Sequence, residues 1–148
     1  MPFVPDNFAV PISFTADTFT FKKLCPKFAE EDYQAVMESV SSLKGLFGEG
    51  NDWPPVDLTF DENYSSLKLH EEYFKKRQAF AYSVFSSDGK YLGCVYIYPS
   101  QNPEFDALVF YWIRDGARTK KLDEKLYSEI KHWLGKEWCF RKVQFPKK

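Results

Sequence analysis

Much of what builds a specialised site is scarce in this sequence. Its three cysteines, Cys25, Cys94 and Cys139, are far apart and form no Cys-x-x-Cys pair. They are expected to be small, reduced hydrophobes rather than a disulfide framework. Two histidines, His70 and His132, and no His/Cys cluster leave a zinc site nothing to build on, so no metal is expected. The longest apolar run, Ala107 to Ile113, is far short of the ~20 residues that span a bilayer. The first residues, Met1 to Phe14, lack the basic start and continuous apolar stretch of a signal peptide. A net charge of −1 gives no global attraction to nucleic acid or to an anionic membrane. These absences point to a cytoplasmic domain with neither nucleic acid nor membrane as partner.

Aromatic residues, at 19% of the 148, are plentiful. They fall into alternating and helical patterns, which argues for an aromatic-rich core and against disorder. The length suits a single domain with its own core. Prolines 2, 5 and 11 hold residues 1–17 extended, as an arm before one domain over residues 18–148.

Thr18 to Leu24 alternates as a first strand. From Ala29 the period becomes helical through Tyr33, Val36, Met37, Val40 and Phe47, ending near Gly45 or Gly48. Asn51 and Trp53-Pro54-Pro55 mark a loop, and Thr59 with Glu62 forms a capping box. The second helix presents Phe60, Tyr64, Leu67, Glu71 and Phe74. Ala79–Ser86 and Tyr91–Tyr98 then flank Asp88-Gly89 as a hairpin. Phe105 to Ile113 is apolar on both faces and is expected to be a central strand. A helix stripe over Leu122, Leu126, Ile130, Trp133 and Leu134 precedes a last strand, Phe140 to Phe145. The order β-α-α-β-β-β-α-β predicts an α/β (α+β) fold: a mixed central sheet, helices on both faces, and a parallel βαβ crossover at its end.

The stretch FDALVFYWIRDGARTKKLDEKLYSEIKHWL, Phe105 to Leu134, with LGCVYIYP before it, resembles the central strand–loop–helix of the GNAT acyl-CoA N-acyltransferase superfamily. The element order resembles it too, as a divergent form with a shortened C-terminus. The resemblance implies an N-acetyltransferase that moves an acyl group from acetyl-CoA to a small-molecule or protein amine. It implies that Trp112, Ile113 and Arg114 flank the pantetheine arm. The diphosphate would lie on Arg118, Thr119, Lys120, Lys121 and Leu122 at a helix start, where unpaired N–H groups meet the positive dipole end. Here the chain departs from the family pattern of Arg or Gln, two residues, Gly, one residue, then Gly or Ala. Lys121 replaces the first glycine and Asp123 the second small residue. Acid–base candidates are Asp106 and His70 for the amine proton and Tyr111 for the leaving thiolate; Trp53 is the candidate for the acceptor pocket. Exposed sheet edges are compatible with a homodimer. The alternative is a non-catalytic GNAT-like ligand-binding or protein-interaction module with a degenerate CoA site. The acceptor itself is not legible.

Overall fold

A computed structural model describes residues 2–146. Six strands form one sheet in sequence order: β1 (Ser13–Thr15), β2 (Phe19–Lys23), β3 (Phe80–Ser86), β4 (Tyr91–Pro99), β5 (Ala107–Ile113) and β6 (Val143–Gln144). All neighbouring pairs are antiparallel except β5 and β6, which are parallel across the expected crossover. The helices are α1 (Ala29–Glu38), the short α2 (Val40–Leu43), α3 (Phe60–Lys75) and α4 (Lys120–Glu137).

The sheet alternation sorts its residues into two cores. Val95, Ile97, Val109 and Ile113 face α4 and pack with Leu126, Ile130 and Trp133. Cys94, Tyr96, Phe110 and Trp112 face the other way and pack with Ala35, Val36 and Leu67 of α1 and α3. Helices therefore cover both faces, as the two-layered pattern of the sequence requires.

Several local expectations are met. Thr59 caps α3, its side chain accepting from the Glu62 N–H at 3.1 Å, while Glu62 Oε1 accepts from the Thr59 N–H at 2.9 Å. Gly89, at φ 87°, turns the β3–β4 hairpin in the left-handed region that glycine adopts without strain.

Others change. The α3 stripe is shifted: Asn63 and Leu67 are buried and His70 is half-buried, while Phe60 and Tyr64 are exposed at 39% and 41%. The periodicity of Phe60 and Tyr64 is helical, but they lie beside the true inner face and pack on each other, with Phe60 also against Tyr33. The final strand shrinks to Val143–Gln144, and β1 adds a strand inside the stretch read as an arm. Val4 from that stretch is 1% exposed, and Arg77 Nη2 holds the Pro5 and Phe8 carbonyls at 2.6 and 2.9 Å.

Gly93 marks a close backbone approach in the sheet. A Cβ there would collide with the Trp112 carbonyl, which belongs to the β5 backbone and has no rotamer by which to escape. Gly93→Ala must push β4 and β5 apart next to a register shift at Val84/Phe85. We expect a loss of about 1–3 kcal/mol in urea denaturation; an unchanged midpoint would mean that the strands are not so tightly apposed.

Candidate active site

The β5–β6 ladder is only two residues long, Ala107 with Val143 and Leu108 with Gln144. Beside β5 from Val109 to Ile113 lies a cleft of about 200 Å³, closed by Leu43 to Leu46 after α1, by Arg118 and by Pro146. Of the residues named from the sequence, Tyr111, Trp112, Ile113 and Arg118 line it. Trp112 is fixed by its indole N–H, which donates to the Tyr96 hydroxyl at 2.9 Å. Tyr111 stacks on Tyr127 at 6.1 Å, and partial burial pushes its hydroxyl up to about 12, so it holds its proton at neutral pH.

Next to this cleft, α4 begins. Thr119 caps it by accepting from the Leu122 N–H at 3.0 Å. Lys120 and Lys121 occupy the first turn, where backbone N–H groups have no partner within the helix. Both lysines are exposed and neither joins an ion pair among the described residues. Arg118 is different: its Nε donates to Asp123 Oδ2 at 2.9 Å.

The loop before α4 is held by the end of α1. Glu38 accepts from Arg114 Nη2 at 2.6 Å and Nε at 3.0 Å, and from the Gly116 N–H at 2.8 Å. The guanidinium holds the Glu38 carboxyl below its usual range. Ser39 Oγ accepts from the Asp115 N–H at 2.9 Å, and Ser42 donates to Asp115 Oδ1 at 2.7 Å. Arg114, read from the sequence as a cofactor contact, is thus committed to Glu38 and does not line the cleft. One loop N–H that could face a phosphate, that of Gly116, already holds a carboxylate.

A second, larger cavity of about 840 Å³ opens on the α1–α3 side of the sheet. Phe47, Trp53, Tyr96, Tyr98 and Phe110 give it aromatic walls, and Asp32, Asn63 and His70 reach it from the helices. Phe110 lines both cavities. Trp53 packs against Phe47 at 5.2 Å, as a loop tryptophan folded onto the domain. His70 lies 5.6 Å from the Tyr96 ring, and burial lowers it to about 4, leaving the imidazole neutral.

Asp106 stands apart from both cavities. Its Oδ2 accepts from the Arg141 and Lys142 N–H groups at 2.7 and 3.0 Å, which lowers its pKa and ties the β6 segment to the start of β5. Its two nearby donors make it a strand clamp.

Sequence reasoning missed Asp32. It is 3% exposed on α1, where Asn63 Nδ2 donates to it at 2.9 Å, Tyr91 at 2.7 Å and Cys94 at 3.3 Å. The signal was present: Ala29, Asp32, Val36, Ser39 and Leu43 recur at alternating spacings of three and four, so a carboxylate sits within the buried stripe.

Among the described residues no group of three or more His, Cys, Asp or Glu side chains could hold a metal, and no helix is long and apolar enough to cross a membrane. No family model and no curated protein matches the sequence. Solved structures do match. A ribosomal-protein-S5-alanine acetyltransferase from Vibrio fischeri aligns at a TM-score of 0.64 and 17% identity, over 85% of this chain and 68% of that one. The microcin C7 self-immunity acetyltransferase MccE, in complex with acetyl-CoA and AMP, aligns at 0.66 and 16%, over 85% and 68%. RimL, a ribosomal alpha-N-protein acetyltransferase in complex with coenzyme A, aligns at 0.62 and 15%, over 84% and 66%. The chain spans about two thirds of each. At these identities the likeness is one of fold: the chain has the fold of the GNAT acetyltransferases.

Proposed function

We propose that the protein binds an acyl-CoA in the cleft beside β5 and transfers the acyl group to an amine held in the larger cavity. The observation that carries this reading is the shared wall: Phe110 separates a narrow cleft at a helix start from a roomy aromatic cavity. Two adjoining cavities suit acyl transfer, because thioester and amine must be held side by side in reacting geometry.

The residues present suit the co-substrate. The N–H groups at the start of α4 and the side chains of Lys120 and Lys121 would take the diphosphate, and a bound anion would relieve the mismatch of two lysines at a positive dipole end. Trp112 and Ile113 would flank the pantetheine arm. The ligands in the MccE and RimL structures support acetyl-CoA as the donor.

In the transfer, the amine nitrogen forms a bond to the thioester carbonyl carbon, the C–S bond breaks, and the sulfur leaves with the electron pair. The proton lost by the amine goes to a base in the larger cavity. Asp32, whose pKa burial raises, is the group there placed to accept it, whereas the His70 imidazole, lowered to about 4, is too weak a base. Tyr111, protonated in the cleft, can return a proton to the thiolate.

A second reading is favoured by the loop. With Gly116 engaged by Glu38 and Lys121 in the glycine position, the diphosphate cradle is degenerate, and the domain would be a non-catalytic GNAT-like module for a ligand or a protein partner.

Thermal unfolding with acetyl-CoA, together with thiol release in the presence of amines, decides between them. Acetyl-CoA at about 100 times Kd adds about 2.7 kcal/mol, on the order of 5–10 °C for a domain of this size. Lys120→Ala combined with Lys121→Ala is expected to weaken binding roughly tenfold at low salt and less at high salt. An unchanged affinity would place the diphosphate elsewhere. Stabilisation without thiol release would select the binding module.

A further inference from the structure

The larger cavity contains a buried carboxylate that no cation among the described residues neutralises. Its three donors, Asn63, Tyr91 and Cys94, are all neutral. No Lys, Arg or His forms an ion pair with Asp32 among the described residues, and no Lys or Arg lines the cavity. His70, the one basic side chain on its wall among the described residues, is held neutral by burial. An ionised carboxyl group offers about four lone-pair sites, so three donors leave it one acceptor site.

Burying such a charge without a counter-ion is costly, and the usual answers are a partner or a retained proton. Burial indeed raises the Asp32 pKa. The surroundings, however, suit a visiting cation. Phe47 packs on Trp53 at 5.2 Å and on Tyr98 at 6.4 Å, and Tyr98 packs on Phe110 at 6.0 Å, giving a continuous aromatic wall. Aromatic faces attract cations and shelter apolar groups, while repelling anions.

We propose that this cavity recognises an organic ammonium ion, its charged head directed to Asp32 and its apolar body against Phe47, Trp53 and Tyr98. The acceptor class then follows: a primary amine attached to an aromatic or bulky apolar group, and not an amino acid or acidic peptide whose carboxylate would meet Asp32. That step from ligand to acceptor rests on the acyl-transfer reading; recognition of the ammonium does not.

The test is calorimetry on the full chain without acyl-CoA, using three probes of similar shape: 2-phenylethylammonium, neutral 2-phenylethanol and anionic 3-phenylpropanoate. The ammonium is expected to bind roughly tenfold more tightly than the alcohol, and the carboxylate not at all. Asp32→Asn should erase the difference between ammonium and alcohol, while Trp53→Ala should weaken both and keep their ratio. Equal affinity of ammonium and alcohol for the unaltered chain, no binding at millimolar concentration, or a preference that survives in Asp32→Asn overturns the proposal. Repeating the titration with acetyl-CoA separates the two readings: ammonium selectivity without acetyl-CoA binding keeps the cavity and removes the transferase.

Discussion

Trp133→Ala is expected to cost about 3–5 kcal/mol of folding stability, the usual toll of truncating a fully buried tryptophan. Trp133 is 0% exposed on α4 and lies against Phe14, Phe21, Tyr82 and Trp138, with ring centroids 5.4, 5.1, 4.9 and 5.5 Å away. These rings come from β1, β2, β3 and the segment after α4, so no single neighbour can swing in to fill the void. Trp133→Phe should cost much less. The indole N–H is buried with no partner among the described residues, and phenylalanine removes that orphan donor along with part of the volume. Urea denaturation followed by circular dichroism reads both. A loss under about 1 kcal/mol for Trp133→Ala would contradict the placement of this side chain. The functional consequence is indirect: α4 carries Thr119, Lys120 and Lys121, and loosening its far half should reduce stabilisation by acetyl-CoA.

The second large effect concerns Asp32, and its sign depends on the replacement. Asp32→Ala strands three buried donors at once, the Asn63 amide, the Tyr91 hydroxyl and the Cys94 thiol. At about 1–3 kcal/mol for each buried group left unpaired, a total of several kcal/mol is expected at any pH. Asp32→Asn keeps an acceptor and removes the charge. Burial raises the Asp32 pKa from its ordinary 3.8, so the native state binds a proton more readily than the unfolded chain. Stability conferred by the native carboxyl is therefore greatest below the unfolded pKa. It declines as pH rises from there and levels off above the folded value. The asparagine variant escapes that decline. Its stability relative to the native chain should rise with pH over this window and then become flat. Denaturation of both proteins between pH 3.5 and 8 measures the difference; a difference that falls with pH would mean that Asp32 is stabilised in its charged form.

The fold was legible because its signals are local and redundant. Asp88-Gly89 between two alternating runs specifies the hairpin, Thr59 and Glu62 specify the start of α3, and the Leu126–Ile130–Trp133 stripe specifies α4. The resemblance named Tyr111, Trp112, Ile113 and Arg118, and these four do line one cleft. What sequence could not supply was tertiary pairing. Arg114 looks like a free cation until Glu38, 76 residues away, takes it. Asp106 looks like a base until the Arg141 and Lys142 backbones take it. The larger cavity is assembled from α1, α3, β4, β5 and the Phe47–Trp53 loop, and no local period announces such a convergence. Asp32 was missed although its signal is local, a carboxylate within a helical apolar stripe.

The placement we propose puts acyl-CoA along β5 with its diphosphate at the start of α4. Amide hydrogen exchange, with and without saturating acetyl-CoA, tests it most directly because it reports place as well as binding. Added acetyl-CoA should slow exchange at Ile113 and at Thr119, Lys120 and Lys121, while amides of the β2–β3 ladder remain unchanged. No slowing at these positions, or protection confined to another surface, would contradict the account.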